Sequence, residues 1–377
     1  MIDRLVIQNF KCLKGVELRL SPLHVLIGPN DSGKSSILEA VLALSRSADV
    51  PLSEAFVGPW EGRELVWMGN DTPVCFDLND NQYVLAIQFP TAGRAASVRH
   101  ERVFGKDVPS GNERTYVCFA AGDRLPGGRF DAMATNMYAQ LSGAHFFRWI
   151  PKLLSLPSAP DPSRRFRMDP TGFGLAMCLD DILGWDRTQF ERLETRFRRV
   201  FSQVKSIKLQ QSPAFRAKED LRKLFPVLEP ADGKMLFFEM EGNPNLVPAS
   251  EVSDGILLVL AYLTVLYLPQ PPHFLLVEEP ENGIHPARLR EILQILKDIV
   301  HEQNRTQVLM TTHSPYVLDL LKPEEVSLCS KDNTGAVKVT RLSNSPAVRK
   351  QIDVFTLGEI WTGEGDEALA KDGVGSQ

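Results

Sequence analysis

At 377 residues, with 43% hydrophobic and 24% charged residues, the chain is long enough for one large core or two lobes, and no disorder signature dominates. A net charge of −5 argues against a protein that coats nucleic acid over its whole surface. Five widely separated cysteines without a CxxC pair (Cys12, Cys75, Cys118, Cys178, Cys329) suggest neither a disulfide framework nor a zinc site, and a reducing cytoplasm fits that usage. The longest apolar run, Ile256 to Leu268 with Thr264 inside it, falls short of the about twenty residues of a membrane span, and Met1-Ile2-Asp3-Arg4 leads directly into a strand. Neither a leader nor a membrane partner is expected.

In chain order, Leu5-Val6-Ile7 and Val16 to Leu20 predict an antiparallel edge hairpin, followed by an apolar strand over Leu23 to Ile27. The run Gly28-Pro29-Asn30-Asp31-Ser32-Gly33-Lys34-Ser35 then fits G-x-x-x-x-G-K-[ST] and precedes a helix over Ser35 to Ser45, which includes Ser36. A triphosphate needs several donors converging on a small volume. Glycines let consecutive N–H groups point inward, the helix start adds its positive end, Lys34 reaches the β and γ phosphates, and the Ser35 hydroxyl ligates Mg2+. ATP and Mg2+ are therefore the expected ligands. From Glu64 to Val103, alternating runs such as Val74 to Leu78 and Tyr83 to Phe89 continue a sheet, and residues 1–143 are read as a first, β-rich lobe.

Residues 144–226 change character to proline-broken loops and then a helical stripe of Leu179, Leu183, Phe190, Leu193, Phe197 and Phe201, read as a helical insertion. Between Arg187 and Lys223 eleven basic residues face four acidic ones, a local +7 able to track a phosphate backbone if its arginines are not paired with carboxylates elsewhere. The second lobe, 227–345, carries the remaining motifs. Ser253-Asp254-Gly255 opens an apolar helix, with Ser253 at the N-cap position and a potential anion site around it. Phe274 to Val277 is an apolar strand ending in Glu278 and Glu279: the first is placed to hold Mg2+ through water, the second to polarise the water that attacks phosphorus. Gln307 to Thr311 is another buried strand, and His313 beyond it can contact the γ-phosphate or orient the attacking water. Residues 346–377 are an extension whose Gly/Ser/Asp-rich end reads as a tail.

Four motifs in this order resemble the ABC-type ATPases of the RecF, SMC and OLD group, and most closely compact bacterial AAA family ATP-binding proteins related to the ATPase half of OLD nucleases. The likeness spans about Met1 to Leu342. It implies an α/β fold, an ABC-type P-loop ATPase head with a β-rich first lobe, a helical insertion and a second α/β lobe. It makes Gly28 to Ser36 the Walker A loop, Ser253 to Gly255 the signature, Glu278-Glu279-Pro280-Glu281-Asn282-Gly283 the Walker B strand running into the D-loop, and His313 the switch histidine. By this resemblance ATP is sandwiched between two copies, Walker A and B from one and Ser253 to Gly255 from the other, with Lys11 near the nucleotide and Asn282 near the partner's site. Lys34, Glu279 and His313 become the catalytic set, and Ser35 and Glu278 the metal ligands.

The wider pattern has Asp at the first Walker B position, where this chain has Glu278. No coiled-coil arm or zinc-hook CxxC is present, which argues against a long-armed tether. Only 35 residues follow Leu342, so the Toprim domain of OLD nucleases, and with it intrinsic nuclease activity, is not expected. The resemblance implies an ATP hydrolase that dimerises around ATP and couples closure to DNA, RNA or a separately encoded nuclease or effector, in DNA repair or phage defence. The competing class is an ATP-gated scaffold or sensor with little turnover and no direct DNA contact; a transporter subunit is disfavoured by the RecF-like start.

Overall fold

The computed structural model describes residues 1–56, 62–90, 96–108, 114–118, 132–162, 165–218, 225–303 and 306–371. The chain divides into two compact units: Met1–His145 with Pro272–Glu278 and Arg305–Gln377, and Phe146–Pro271 with Glu279–Asn304. The strands around Phe274–Glu278 and Gln307–Thr311 thus belong to the same unit as the N-terminal segment.

The first unit opens with the expected hairpin, β1 (Arg4–Phe10) and β2 (Leu13–Arg19), in register Leu5↔Leu18 and Ile7↔Val16. Alternate residues Leu5, Ile7, Val16 and Leu18 are buried, the period-2 pattern of a half-covered antiparallel sheet. The strand β3 (Leu23–Ile27) leads into α1 (Lys34–Ser47), followed by the short α2 (Leu52–Ala55). Strands β4 (Val74–Leu78), β5 (Tyr83–Gln88), β6 (Ser97–Val103) and β7 (Lys106–Asp107) complete a six-stranded antiparallel sheet in the order β2-β1-β4-β5-β6-β7. Beneath it, the fully buried Glu101 accepts hydrogen bonds from the Tyr83 hydroxyl at 2.9 Å and the Cys118 N–H at 3.0 Å, and pairs with Arg114. After α3 (Ala132–Leu141) comes β8 (Ala144–Phe147).

The second unit runs through α4 (Pro151–Leu154), α5 (Leu175–Trp185) and α6 (Arg187–Val200). The expected apolar stripe is shared by two helices, because Asp186 adopts an extended backbone and caps α6 by accepting from the Thr188 N–H at 2.8 Å. Phe190, Leu193, Phe197 and Phe201 are buried as expected, whereas Ile182 rather than Leu183 fills the core from α5. The helical reading of 144–226 ends there. Instead, β9 (Val204–Lys218) and β10 (Val227–Met240) form a long antiparallel hairpin, flanked by β11 (Leu246–Pro248). Ser158 ties an earlier loop to it, with its N–H on the Lys234 carbonyl at 3.0 Å. The helix α7 (Asp254–Leu266) is buried at every position from Ile256 on, so its sequence is apolar all round.

The further strands and α-helices among the described residues are β12 (Phe274–Glu278), α8 (Pro286–Gln303), β13 (Gln307–Thr311), α9 (Pro315–Leu318), β14 (Val326–Lys331), β15 (Val337–Arg341), α10 (Pro346–Gln351) and α11 (Leu357–Leu369). The second sheet has the order β15-β14-β3-β13-β12-β8. Within it β14, β3, β13 and β12 are parallel, and every residue of β3, β12 and β13 is buried, which is why these strands read as unbroken apolar runs. Among the described residues no helix is long and apolar enough to cross a membrane.

Candidate nucleotide site

The carboxyl ends of three neighbouring parallel strands converge in the first unit. Thr311 pairs with Leu26 on one side and Glu278 on the other, so the loop after β3, the end of β12 and the segment holding His313 share one end of the sheet. Ligands of open α/β sheets bind at this end.

The loop after β3 is shaped by two glycines. Gly28 has φ 135°, and a β-carbon there would lie 2.2 Å from the Cys329 carbonyl oxygen of β14. Gly33 has φ 92°, and a β-carbon would lie 2.4 Å from a Val337 methyl. Both positions therefore exclude side chains on backbone and steric grounds. Gly33 occupies the N-cap of α1 with no side-chain cap, so the helix presents its first N–H groups toward the loop. Lys34 is buried, and its ammonium donates to the Gly28 and Pro29 carbonyls at 2.9 and 2.8 Å. Pro29, Asn30 and Asp31 are exposed at the crest, and Asp31, itself left-handed at φ 62°, is held by Lys331 of β14 at 2.6 Å. Ser32 is buried under them.

The Ser35 hydroxyl donates to the Glu278 carboxylate, joining the loop to β12. These are the two expected metal ligands, and both offer hard oxygen atoms. Among the described residues no group of three or more His, Cys, Asp or Glu side chains could hold an ion. A pair of oxygen donors without a protein cage suits Mg2+, which takes its remaining ligands from phosphate and water. The residues present fit that ion.

Lys11, expected near the nucleotide, sits left-handed at φ 49° in the β1–β2 turn, and its ammonium pairs with Glu39 of α1. Ser36 accepts from the Cys12 thiol at 3.4 Å. Burial pushes the Cys329 thiol up to about 12, with Lys34 opposing, so it remains a neutral packing group behind the loop. His313 lies half-buried just past β13, and Thr312 before it is fixed by its N–H on the Leu26 carbonyl at 3.1 Å.

The other expected residues belong to the second unit. Ser253 stands at the N-cap of α7, the position expected for it, and its hydroxyl makes no cap bond to the helix. It is exposed, as is Asp254, and a β-carbon on Gly283 would sit 3.4 Å from an Asp254 carboxylate oxygen, so the start of α7 and the turn after β12 adjoin. Glu279 is left-handed at φ 46° and accepts from the Asn282 side-chain amide at 2.9 Å. Beneath, burial holds the Tyr262 phenol above its ordinary range, with the charge of Glu281 adding.

The basic stretch is divided. Arg196 is engaged by Asp298 and, at 3.8 Å, Glu302; Arg187 pairs with Glu191, Lys205 with Glu241 and Lys218 with Glu229. Arg192, Arg198, Arg199, Lys208 and Arg216 are exposed without an ion pair among the described residues. Arg222 and Lys223 lie outside the described residues. Sequence reasoning missed the Lys11–Glu39, Asp31–Lys331 and Asn282–Glu279 contacts. Only the last, at a spacing of three residues in a turn, leaves a sequence signal.

Two family models match the chain. One, described as "AAA ATPase domain", covers residues 1–97, and the other, described as "AAA domain, putative AbiEii toxin, Type IV TA system", covers residues 176–319. The chain is 25% identical to an OLD nuclease of Thermus scotoductus over 95% of its own length and 68% of the relative's. The chain is thus similar to AAA ATPase domains and to an OLD nuclease. A 44-residue segment is 50% identical to the DNA replication and repair protein RecF of Vibrio vulnificus, covering 11% of this chain and 12% of that protein. Among solved structures, an SMC head domain bound to the C-terminal domain of ScpA, from Pyrococcus furiosus, aligns over 93% of this chain and 99% of that one, with TM-score 0.51 and 13% identity. A second SMC head, bound to the C-winged helix domain of ScpA, aligns over 90% and 96%, with TM-score 0.50 and 14% identity. These neighbours share the fold.

Proposed function

We propose that the chain binds ATP with Mg2+ and hydrolyses it, as a dimer whose closure around nucleotide controls a nucleic acid or a separate effector, in DNA repair or phage defence. The observation that carries this reading is the Ser35–Glu278 contact, which brings a P-loop hydroxyl and a strand-end carboxylate together at the lip of the phosphate loop. The printed names of the relatives, a nuclease and a DNA replication and repair protein, support a task on DNA. The five free cysteines support cytoplasmic operation.

Gly28 to Gly33 supply backbone N–H groups for the phosphates, and the buried Lys34 ammonium contributes positive charge at the loop. Ser35 and Glu278 hold the ion. When bound, Mg2+ neutralises charge building on the phosphate oxygens. Glu279 is one peptide bond beyond Glu278, about 3.8 Å from it between Cα atoms, and takes a proton from the attacking water as general base. His313 orients that water or the γ-phosphate. Ser253 to Gly255 of a second copy complete the site, and the exposure of Ser253 and Asp254 leaves the helix start accessible to one.

Complementation tests the composite site. Lys34→Ala and Ser253→Arg should each be inactive alone. Mixed, they form heterodimers with one intact site, and about a quarter of wild-type ATPase activity should return. An inactive mixture, with both variants folded and dimeric, argues against a site shared between copies.

A further inference from the structure

Glu279 holds a left-handed backbone conformation, φ 46°, that is strained for a residue with a β-carbon. Such a conformation persists where its surroundings over-determine it. Here the surroundings include a clip made by Asn282, three positions further on. The Asn282 N–H donates to the Glu279 carbonyl at 3.1 Å, and the Asn282 side-chain amide donates to Glu279 Oε2 at 2.9 Å. One residue thus grips both the main chain and the carboxylate of the glutamate. The turn then continues with the Ile284 N–H on the Glu281 carbonyl at 3.0 Å, and Gly283 supplies the positive φ of 83° that it needs.

We propose that Asn282 is the positioning residue for the Glu279 carboxylate, which rests on the reading of Glu279 as general base. A glutamate has three side-chain torsions, and a base effective in proton transfer has to hold its oxygen within hydrogen-bond reach of the water. The amide of Asn282 removes part of that freedom by holding one carboxylate oxygen at 2.9 Å. Asn282 is exposed, so its truncation opens no cavity and leaves the fold intact. Its loss should register in the chemical step, not in nucleotide binding or stability.

The test compares steady-state ATP hydrolysis by the full chain carrying Asn282→Ala, Asn282→Asp, Glu279→Gln or Glu279→Gln with Asn282→Ala. The expected result is a kcat about tenfold lower in Asn282→Ala, with KM for ATP and the thermal midpoint at wild-type values. Asn282→Asp, which keeps the shape but replaces the donor by a like charge, should fall further. Asn282→Ala should change nothing in the Glu279→Gln background, since it acts through the missing carboxylate. The proposal is overturned if kcat is unchanged in both single Asn282 variants, if KM or stability moves instead of kcat, or if the double variant is slower than Glu279→Gln. Should Glu279→Gln itself turn over at the wild-type rate, the base assignment fails and the positioning role with it. An inactive Glu279→Gln beside fully active Asn282 variants removes the positioning role alone.

Discussion

The Ser35 hydroxyl donates to Oε1 of Glu278, joining the first turn of α1 to the end of β12 across 243 positions of sequence. If these two groups hold the ion, Glu278→Gln should raise the Mg2+ concentration for half-maximal ATP hydrolysis by about tenfold or more, the usual range for damaged metal sites. Ser35→Ala should act in the same direction. A Mg2+ titration at fixed ATP reads both, and an unchanged midpoint removes Glu278 from the metal site.

Gly28 has no room for a β-carbon because the Cys329 carbonyl, part of the β14 backbone, would lie 2.2 Å away. Gly28→Ala has to displace the loop or the strand, and should abolish ATP binding while costing about 3 kcal/mol in stability. Calorimetric ATP titration and urea unfolding of the same variant separate the two effects. Tight ATP binding by this variant contradicts the loop's role.

The structure redirects any test of nucleic-acid binding. Arg196 is committed to Asp298 and Glu302, so its substitution perturbs packing between α6 and α8 and says little about DNA. Arg192, Arg198 and Arg199 are exposed on α6. Replacing these three with glutamate should weaken DNA binding and flatten the slope of log affinity against log salt by about 0.9 for each phosphate that is no longer neutralised. A slope identical to that of the wild type excludes α6 from the DNA-binding surface.

His24 lies fully buried at the base of the loop strand, next to the Ser21 and Ser327 hydroxyls at 3.0 Å each. Burial, assisted by Arg341, lowers its pKa from 6.5 to about 3. Between those values the unfolded chain binds a proton that the folded chain refuses, so stability is present above 6.5 and lost as pH falls below it. The loss is about 1.4 kcal/mol per pH unit. Denaturant unfolding at about pH 7 and pH 5, either side of the unfolded-state value, should show this slope, and His24→Gln should reduce it; an equal slope in the variant assigns the acid sensitivity elsewhere.

What is legible in the sequence is what is locally encoded. Gly28, Gly33 and Lys34 announce their loop because its backbone geometry and charge need those residue types at that spacing, and β3, β12 and β13 read as strands because parallel strands covered on both faces are continuously apolar. The hairpin of β9 and β10 is not legible. Val204 and Ile207 continue a helix-like spacing from Phe197 and Phe201, and Gln210-Gln211-Ser212-Pro213 neither alternates nor buries. The strand state is decided by pairing, with Ile207 opposite Phe238 and Leu209 opposite Leu236. The Lys11–Glu39 and Asp31–Lys331 pairs are invisible for the same reason: each joins residues brought together only by the finished fold. Ser253 is placed correctly at a helix start, but nothing local says that its hydroxyl leaves the helix uncapped.

The central claim is that this loop binds ATP and that the chain cleaves it with a carboxylate. It is tested most directly by measuring ATP binding and phosphate release on the same preparations of the wild type, Lys34→Ala and Glu279→Gln. The wild type should do both, Lys34→Ala neither, and Glu279→Gln should bind ATP while releasing phosphate at least about a hundredfold more slowly. Phosphate release by Glu279→Gln at the wild-type rate, or no release by the wild type under conditions where it binds ATP, would contradict the claim.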